Sequence, residues 1–208
     1  MLGAAPFAFD RSLLALSGAT PPSAPDKFDL TWPTKLTGKH KAIFDVPEVD
    51  SAFGLWRASV WKGQYQEFMG VAAKDLSPVV VLRANGIALA MKQSFWDSYG
   101  IGKLRGAKHP LTEQPTDKNP ALLAKPDVPD AVAGFALDKY IAAGGIALAC
   151  NLALQEMAEV VKKKDKISDE AAYKKALAAL NPGVILQPSG VFAVLRAQEA
   201  GCLYIRAS

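Results

Sequence analysis

From His40 onward, short apolar runs alternate with stretches whose apolar residues recur at helical spacing. His40 to Val46 (HKAIFDV) reads as a strand. Asp50 or Ser51 is placed to cap a helix running to about Val71, with Phe53, Trp56 and Val60 at helical spacing and expected to face a sheet. Ser77 to Arg83 holds the consecutive apolar residues Val79 to Leu82, the pattern of a strand buried on both faces. Asn85-Gly86 breaks it, and Ile87 to Tyr99 reads as the next helix. The segment from Gly100 to Pro129 is irregular, a loop long enough to suggest function or mobility. A helix is expected from Asp130 through Phe135 and Tyr140 to Gly144-Gly145, then a strand, Ile146 to Cys150. Asn151 opens a helix ending in lysines, and Ser168-Asp169-Glu170 starts another. Val184 to Gln187 is a short strand, Ser189 caps the helix Val191 to Ala200, and Cys202 to Arg206 is the last strand. This alternation predicts an α/β domain: a doubly wound three-layer sandwich with about five mainly parallel strands.

The chain upstream has a different texture. Residues 2–16 are apolar and rich in alanine, and Ser17-Gly18-Ala19 follows, as in the later part of an export signal. A basic leading region is missing, and Asp10 and Arg11 interrupt the run. Residues 1–39 are therefore read either as the remnant of an export signal or as an N-terminal arm. The first reading places the protein in the periplasm; the second leaves the cytoplasm as the alternative. Residues 17–39 carry Pro21, Pro22, Pro25 and Pro33 and are expected to be extended, with Phe28, Leu30 and Trp32 alternating along a surface.

Composition narrows the function classes. Of 208 residues, 50% are hydrophobic and 21% charged, which suits a domain with a sizeable core. The net charge of +4 comes without the dense basic stripe and interleaved aromatics of a nucleic-acid binder, so no nucleic-acid partner is expected. No stretch reaches the ~18 consecutive apolar residues of a transmembrane segment. The abundance of apolar residues, with four tryptophans, points to a homo-oligomer or to other protein subunits as partners.

The closing third holds "GGIALACNLALQEM" and then "LNPGVILQPSGVFAVLRAQEAGCLYIRAS". A strand ending in Cys150 at the mouth of a helix, the turn Pro188-Ser189-Gly190, then Gln198, Gly201 and Tyr204 follow in an order that resembles the DsrE/DsrF-like (sulfur-relay, YchN-like) family. "HKAIFDV" and "SPVVVLRANGIALAM" are similar to that family's first two strands, so the resemblance covers about residues 40–208. The long loop at 100–129 and the N-terminal arm depart from it. The resemblance implies a cysteine at position 150 that carries a persulfide, and assembly into trimers or hexamers.

The residues themselves nominate a site at the carboxyl ends of the strands, where open α/β sheets bind ligands. Cys150 should end its strand beside a helix N-terminus, a setting that favours the thiolate; the alternative is a buried, inert core thiol. Asn85, Asn151 and Ser189, together with Asp45, lie at or just past strand ends, although turn and cap chemistry also accounts for them. Lys103 and Arg105, among Gly100, Gly102 and Gly106, could hold an anion. His40 and His109 lack metal-ligand spacing, and no cofactor or metal is expected. Cys150, last in its strand, and Cys202, first in another, should lie at opposite edges about 15 Å apart, beyond disulfide reach. Two functions follow: a DsrE-like domain handling sulfur or binding a small anion through Cys150, or a non-catalytic accessory subunit of a larger complex. No complete catalytic constellation is present.

Overall fold

The computed structural model describes residues 28–208; the export-signal reading falls on residues outside these. Five strands form one all-parallel sheet in the order β4-β3-β2-β1-β5: β1 (His40–Val46), β2 (Leu76–Leu82), β3 (Ile146–Cys150), β4 (Ile185–Gln187) and β5 (Leu203–Arg206). The expected fold class is the observed one. The chain steps outward from β1 to β4 with its helices on one face. It then returns across the sheet through α8 (Gly190–Glu199) on the other face to place β5 beside β1.

Alternation along each strand divides the core in two. Ala42, Phe44, Val46, Val80 and Leu82 face α1 (Phe53–Met69), α5 (Leu137–Ala142) and α6 (Asn151–Asp165). Ile43, Val79, Val81 and Leu148 face Ala193 and Ala197 of α8, together with Trp32 and Leu36. Residues 28–39 are thus not merely a strap. Trp32 is fully buried in a 3-10 turn (Trp32–Lys35), and its indole N–H donates to Gln187 Oε1 at 3.0 Å. Gln187 Nε2 in turn donates to the Asp29 carbonyl at 2.8 Å, so this segment is tied to the end of β4.

Three local expectations are corrected. Asp50 and Ser51 do not cap α1: neither makes a capping bond, and Asp50, Ser51 and Ala52 all have left-handed φ, 35°, 51° and 64°. The turn rotates the helix, so Gly54, Leu55 and Ala58 face the sheet, while Trp56 is 41% exposed. The stretch 84–99 is a 3-10 coil (Ala84–Ala90) followed by α2 (Gln93–Tyr99), because Ala84 takes a left-handed φ of 46°. The 130–142 helix is split into α4 (Asp130–Ala133) and α5.

The long loop is ordered by its own hydrogen bonds. It begins with α3 (Ile101–Leu104) and folds back as a hairpin-like flap in which Lys108 bridges Pro115. His109 Nδ1 caps the flap by accepting from the amides of Leu111 and Thr112. Fully buried Asn119 then pins the loop: its Nδ2 donates to the carbonyls of Met91 (2.7 Å) and Leu89 (3.2 Å), and its Oδ1 accepts from Ala121 N. The last helix before β4 is α7 (Asp169–Ala178), capped by Ser168.

Candidate functional site

All five strands point their carboxyl ends to one edge, and the polar side chains gather there. Asp45, near the end of the inner strand β1, is almost completely buried on the α8 side. Arg83, just past β2, grips it with two bonds, Nε to Oδ1 and Nη2 to Oδ2, both 2.7 Å. The Tyr204 hydroxyl of β5 donates to Oδ2 at 2.9 Å. The hydrogen bond to Asp45 raises the Arg83 pKa above its ordinary value, and the negative forms of Asp45, Tyr204 and Cys150 act in the same direction. Gly190 lets α8 start directly on the Arg83 stem: a Cβ there would stand 2.6 Å from Arg83 Cβ. This group ties together three strands and α8. Both Asp45 carboxylate oxygens are satisfied within it, which makes the group a structural tie.

Cys150 takes the place expected of it, as N-cap of α6. Its Sγ accepts from Ala153 N at 3.5 Å, but the side chain is buried within the larger apolar cluster. Asn151 Oδ1 accepts from the Tyr173 hydroxyl at 2.6 Å, Ser189 Oγ accepts from Phe192 N as a helix cap, and Lys103 is exposed on α3. These four do not converge. Asn85 and Arg105 do: Arg105 Nη1 donates to Asn85 Oδ1 at 2.5 Å, and Asn85 Nδ2 donates to Glu48 Oε2 at 2.8 Å.

That pair borders a polar basin of about 410 Å3 just past β1, whose walls include Glu48, Asp50, Ser51, Arg105 and Lys108. Its floor is the exit of β1, held by Arg83 N to the Val46 carbonyl (3.2 Å) and Gly86 N to the Pro47 carbonyl (2.9 Å). Its rim is the left-handed turn 50–52, which costs roughly 1–2 kcal/mol per non-glycine residue. Arg57 of α1 holds that turn by binding Asp50 Oδ2 at 3.0 Å and the Ala207 carbonyl. Strain concentrated at a ligand-binding edge is a recurring mark of function.

Arg105 is the chemically open member. Its Nη2 lies 3.9 Å from Glu156 Oε2, yet its Nε is the one buried side-chain nitrogen or oxygen without a hydrogen-bond partner among the described residues. A buried N–H left unpaired costs about 1–3 kcal/mol, so its persistence calls for an acceptor. Glu48, Lys108 and the strained turn were not singled out from sequence. The available signal was their position within a few residues of the β1 end and on the same loop as Arg105. No cluster of three or more metal-ligating side chains occurs among the described residues, and no helix there is long and apolar enough to cross a membrane.

Both cysteines are free, one at each edge of the sheet, as their strand positions require. Burial pushes the Cys202 thiol up to about 11, with Lys41 opposing, and pushes the Tyr173 hydroxyl up to about 12. Both groups hold their protons in the folded chain after the unfolded chain has lost them. The unfolded state then binds fewer protons, so this stability is complete below pH 9.0 and falls as pH rises towards about 11. Urea midpoints measured across that window should drop, and Cys202→Ala should flatten the decline. An unchanged slope in the variant would assign the decline to other groups.

Against this geometry, comparison with known proteins is silent: no family model, no curated protein and no solved structure matches the chain.

Proposed function

We propose that residues 40–208 form a small-anion-binding domain whose ligand sits in the basin past β1, held by Arg105 and Lys108. The observation that carries this reading is Arg105 itself, which lines a polar cavity and carries a buried Nε–H with no acceptor among the described residues. The basin replaces Cys150 as the anion site in this reading, since Cys150 is buried and bonded to its helix. Ligands that bind only the folded state stabilise it in proportion to occupancy. Sodium acetate should therefore raise the melting temperature above a sodium chloride control, and Arg105→Met should abolish the difference. An equal response in the variant would remove Arg105 from the site.

A sulfur-relay role at Cys150 is the second reading. It is favoured by the Sγ position at the α6 N-terminus. Mass spectrometry of protein purified from its native source should then find a persulfide on Cys150 that passes to an acceptor thiol. An unmodified thiol that reacts only after unfolding would exclude it.

The assembly that goes with either reading is a pair of identical chains joined at β5. Edge strands are ordinarily blunted by charge, proline or cover. Asp29 and Trp32 are bonded to Gln187 at the end of β4, whereas β5 offers Leu203 (72% exposed), Tyr204 and Ile205, beside exposed Val191 and Leu195 on α8. A two-fold axis at Tyr204 would oppose Leu203 of one copy to Ile205 of the other, a self-complementary pairing. Light scattering should give a dimer at micromolar concentration and a folded monomer for Leu203→Lys. A monomeric parent protein would contradict the pairing.

A further inference from the structure

A second cavity adjoins the basin and has the opposite chemistry. It encloses about 250 Å3 and its lining includes Phe53, Trp56, Leu111, Val132 and Phe135. Ser51 lines both cavities, so the strained turn 50–52 is the wall between them. The loop that supplies Arg105 and Lys108 to the basin goes on to supply Leu111 to the cleft. Trp56 sits edge-on to Phe53 (5.9 Å) and to Phe135 (6.4 Å), yet leaves 41% of its surface exposed. An exposed aromatic cluster opening beside cationic side chains is how a protein meets a molecule with one charged and one apolar end.

The charges in the basin limit the head group. Arg105 and Lys108 face Glu48 and Asp50, and Glu156 Oε2 stands 3.9 Å from Arg105 Nη2, so carboxylates outnumber the cations. Asp50 is engaged by Arg57 and Glu48 by Asn85, whereas Arg105 keeps an N–H to give. A singly charged carboxylate can accept that N–H. A phosphate dianion would meet both carboxylates at close range for the same gain. The cleft limits the tail. A cavity of ~150 Å3 accommodates benzene, so this one suits an aryl ring with a short linker. A three-residue turn is on the order of 6 Å across, a gap that a few methylenes span.

We propose that the ligand is an amphipathic monocarboxylate, its carboxylate on Arg105 in the basin and its aryl or short alkyl tail against Phe53, Trp56 and Phe135 across the 50–52 turn. This rests on the anion-binding reading above and adds to it the class of molecule. The test is a titration of the full chain with sodium 4-phenylbutyrate, acetate, phosphate and 4-phenylbutan-1-ol, followed by tryptophan fluorescence and calorimetry. Phenylbutyrate should bind about tenfold or more tighter than acetate, the share expected from burying a ring, and should change Trp56 emission. Trp56→Ala should bring that ratio towards one, and Arg105→Met should weaken both acids. Equal binding of acetate and phenylbutyrate, both dependent on Arg105, would overturn the tail assignment and leave the anion site standing. The alcohol binding as tightly as the acid, or phosphate binding more tightly than acetate, would overturn the monocarboxylate. Binding of none of the four would overturn both this inference and the anion reading.

Discussion

Arg83→Met is expected to destabilise the fold by about 3–5 kcal/mol, near the lower figure because a third of the arginine side chain is exposed. The loss comes mainly from what remains. Asp45 is 2% exposed and keeps only the Tyr204 hydroxyl as a side-chain donor once both guanidinium bonds are gone. Because Asp45 pairs with Val81 on one side and Arg206 on the other, the disturbance falls inside the sheet, on a strand paired along both sides. Asp45→Asn in the same chain removes the stranded charge and should recover about 1 kcal/mol or more, a coupling that a double-mutant cycle in urea reads directly. Additive losses from the two substitutions would show that the pair is not the unit described.

Gly86→Ala is the second large effect, expected at about 3 kcal/mol or more. A Cβ at position 86 would stand 2.1 Å from the Val46 carbonyl oxygen and 3.3 Å from that of Glu48. Both obstacles are backbone, and Gly86 N is bonded to the Pro47 carbonyl, so neither side can rotate away. The displaced segment is the basin floor, so acetate stabilisation should weaken together with the urea midpoint. Gly63, whose added Cβ meets nothing, is the control: Gly63→Ala in mid-helix should be neutral or stabilising. A Gly86→Ala chain as stable as the parent, with acetate response intact, would refute the close approach of the β1 and β2 exits.

The sheet was legible because its strands are short apolar runs bounded by turn residues. Val79 to Leu82 and Ile146 to Cys150 can be nothing but buried in that composition, and alternation with helices leaves parallel pairing as the economical arrangement. What could not be read was anything set by a neighbour distant in sequence. Trp32 lies among prolines and reads as part of a surface strap, until Gln187, 155 residues away, gives its indole a buried acceptor. The α1 register failed for a local reason: three consecutive left-handed residues at 50–52 have no glycine to announce them, and they turn Trp56 from the sheet to the cleft.

The candidate site was legible at the level of the edge and not of its members. The rule that ligands bind past strand carboxyl ends selected Cys150, Asn85, Asn151 and Ser189 together. Capping bonds at Cys150 and Ser189 and the Tyr173 bond at Asn151 account for three of them. In sequence Lys103 and Arg105 read as a pair of loop cations, but a helical turn between them sends Lys103 outward and Arg105 to Asn85. Asp45 was visible as a polar residue in an apolar strand; its bidentate partner followed only from the register of β1 with β2.

The account turns on one N–H. An 1H–15N spectrum of the arginine Nε groups resolves Arg105 from Arg83, whose Nε is already bonded to Asp45. On titration with sodium acetate, the Arg105 Nε–H resonance should move downfield and saturate, while the Arg83 resonance stays in place and Arg105→Lys removes the shifting peak. An Arg105 Nε–H that does not respond to acetate, or one already at the shift of a bonded guanidinium before any anion is added, would contradict an anion site at the end of β1.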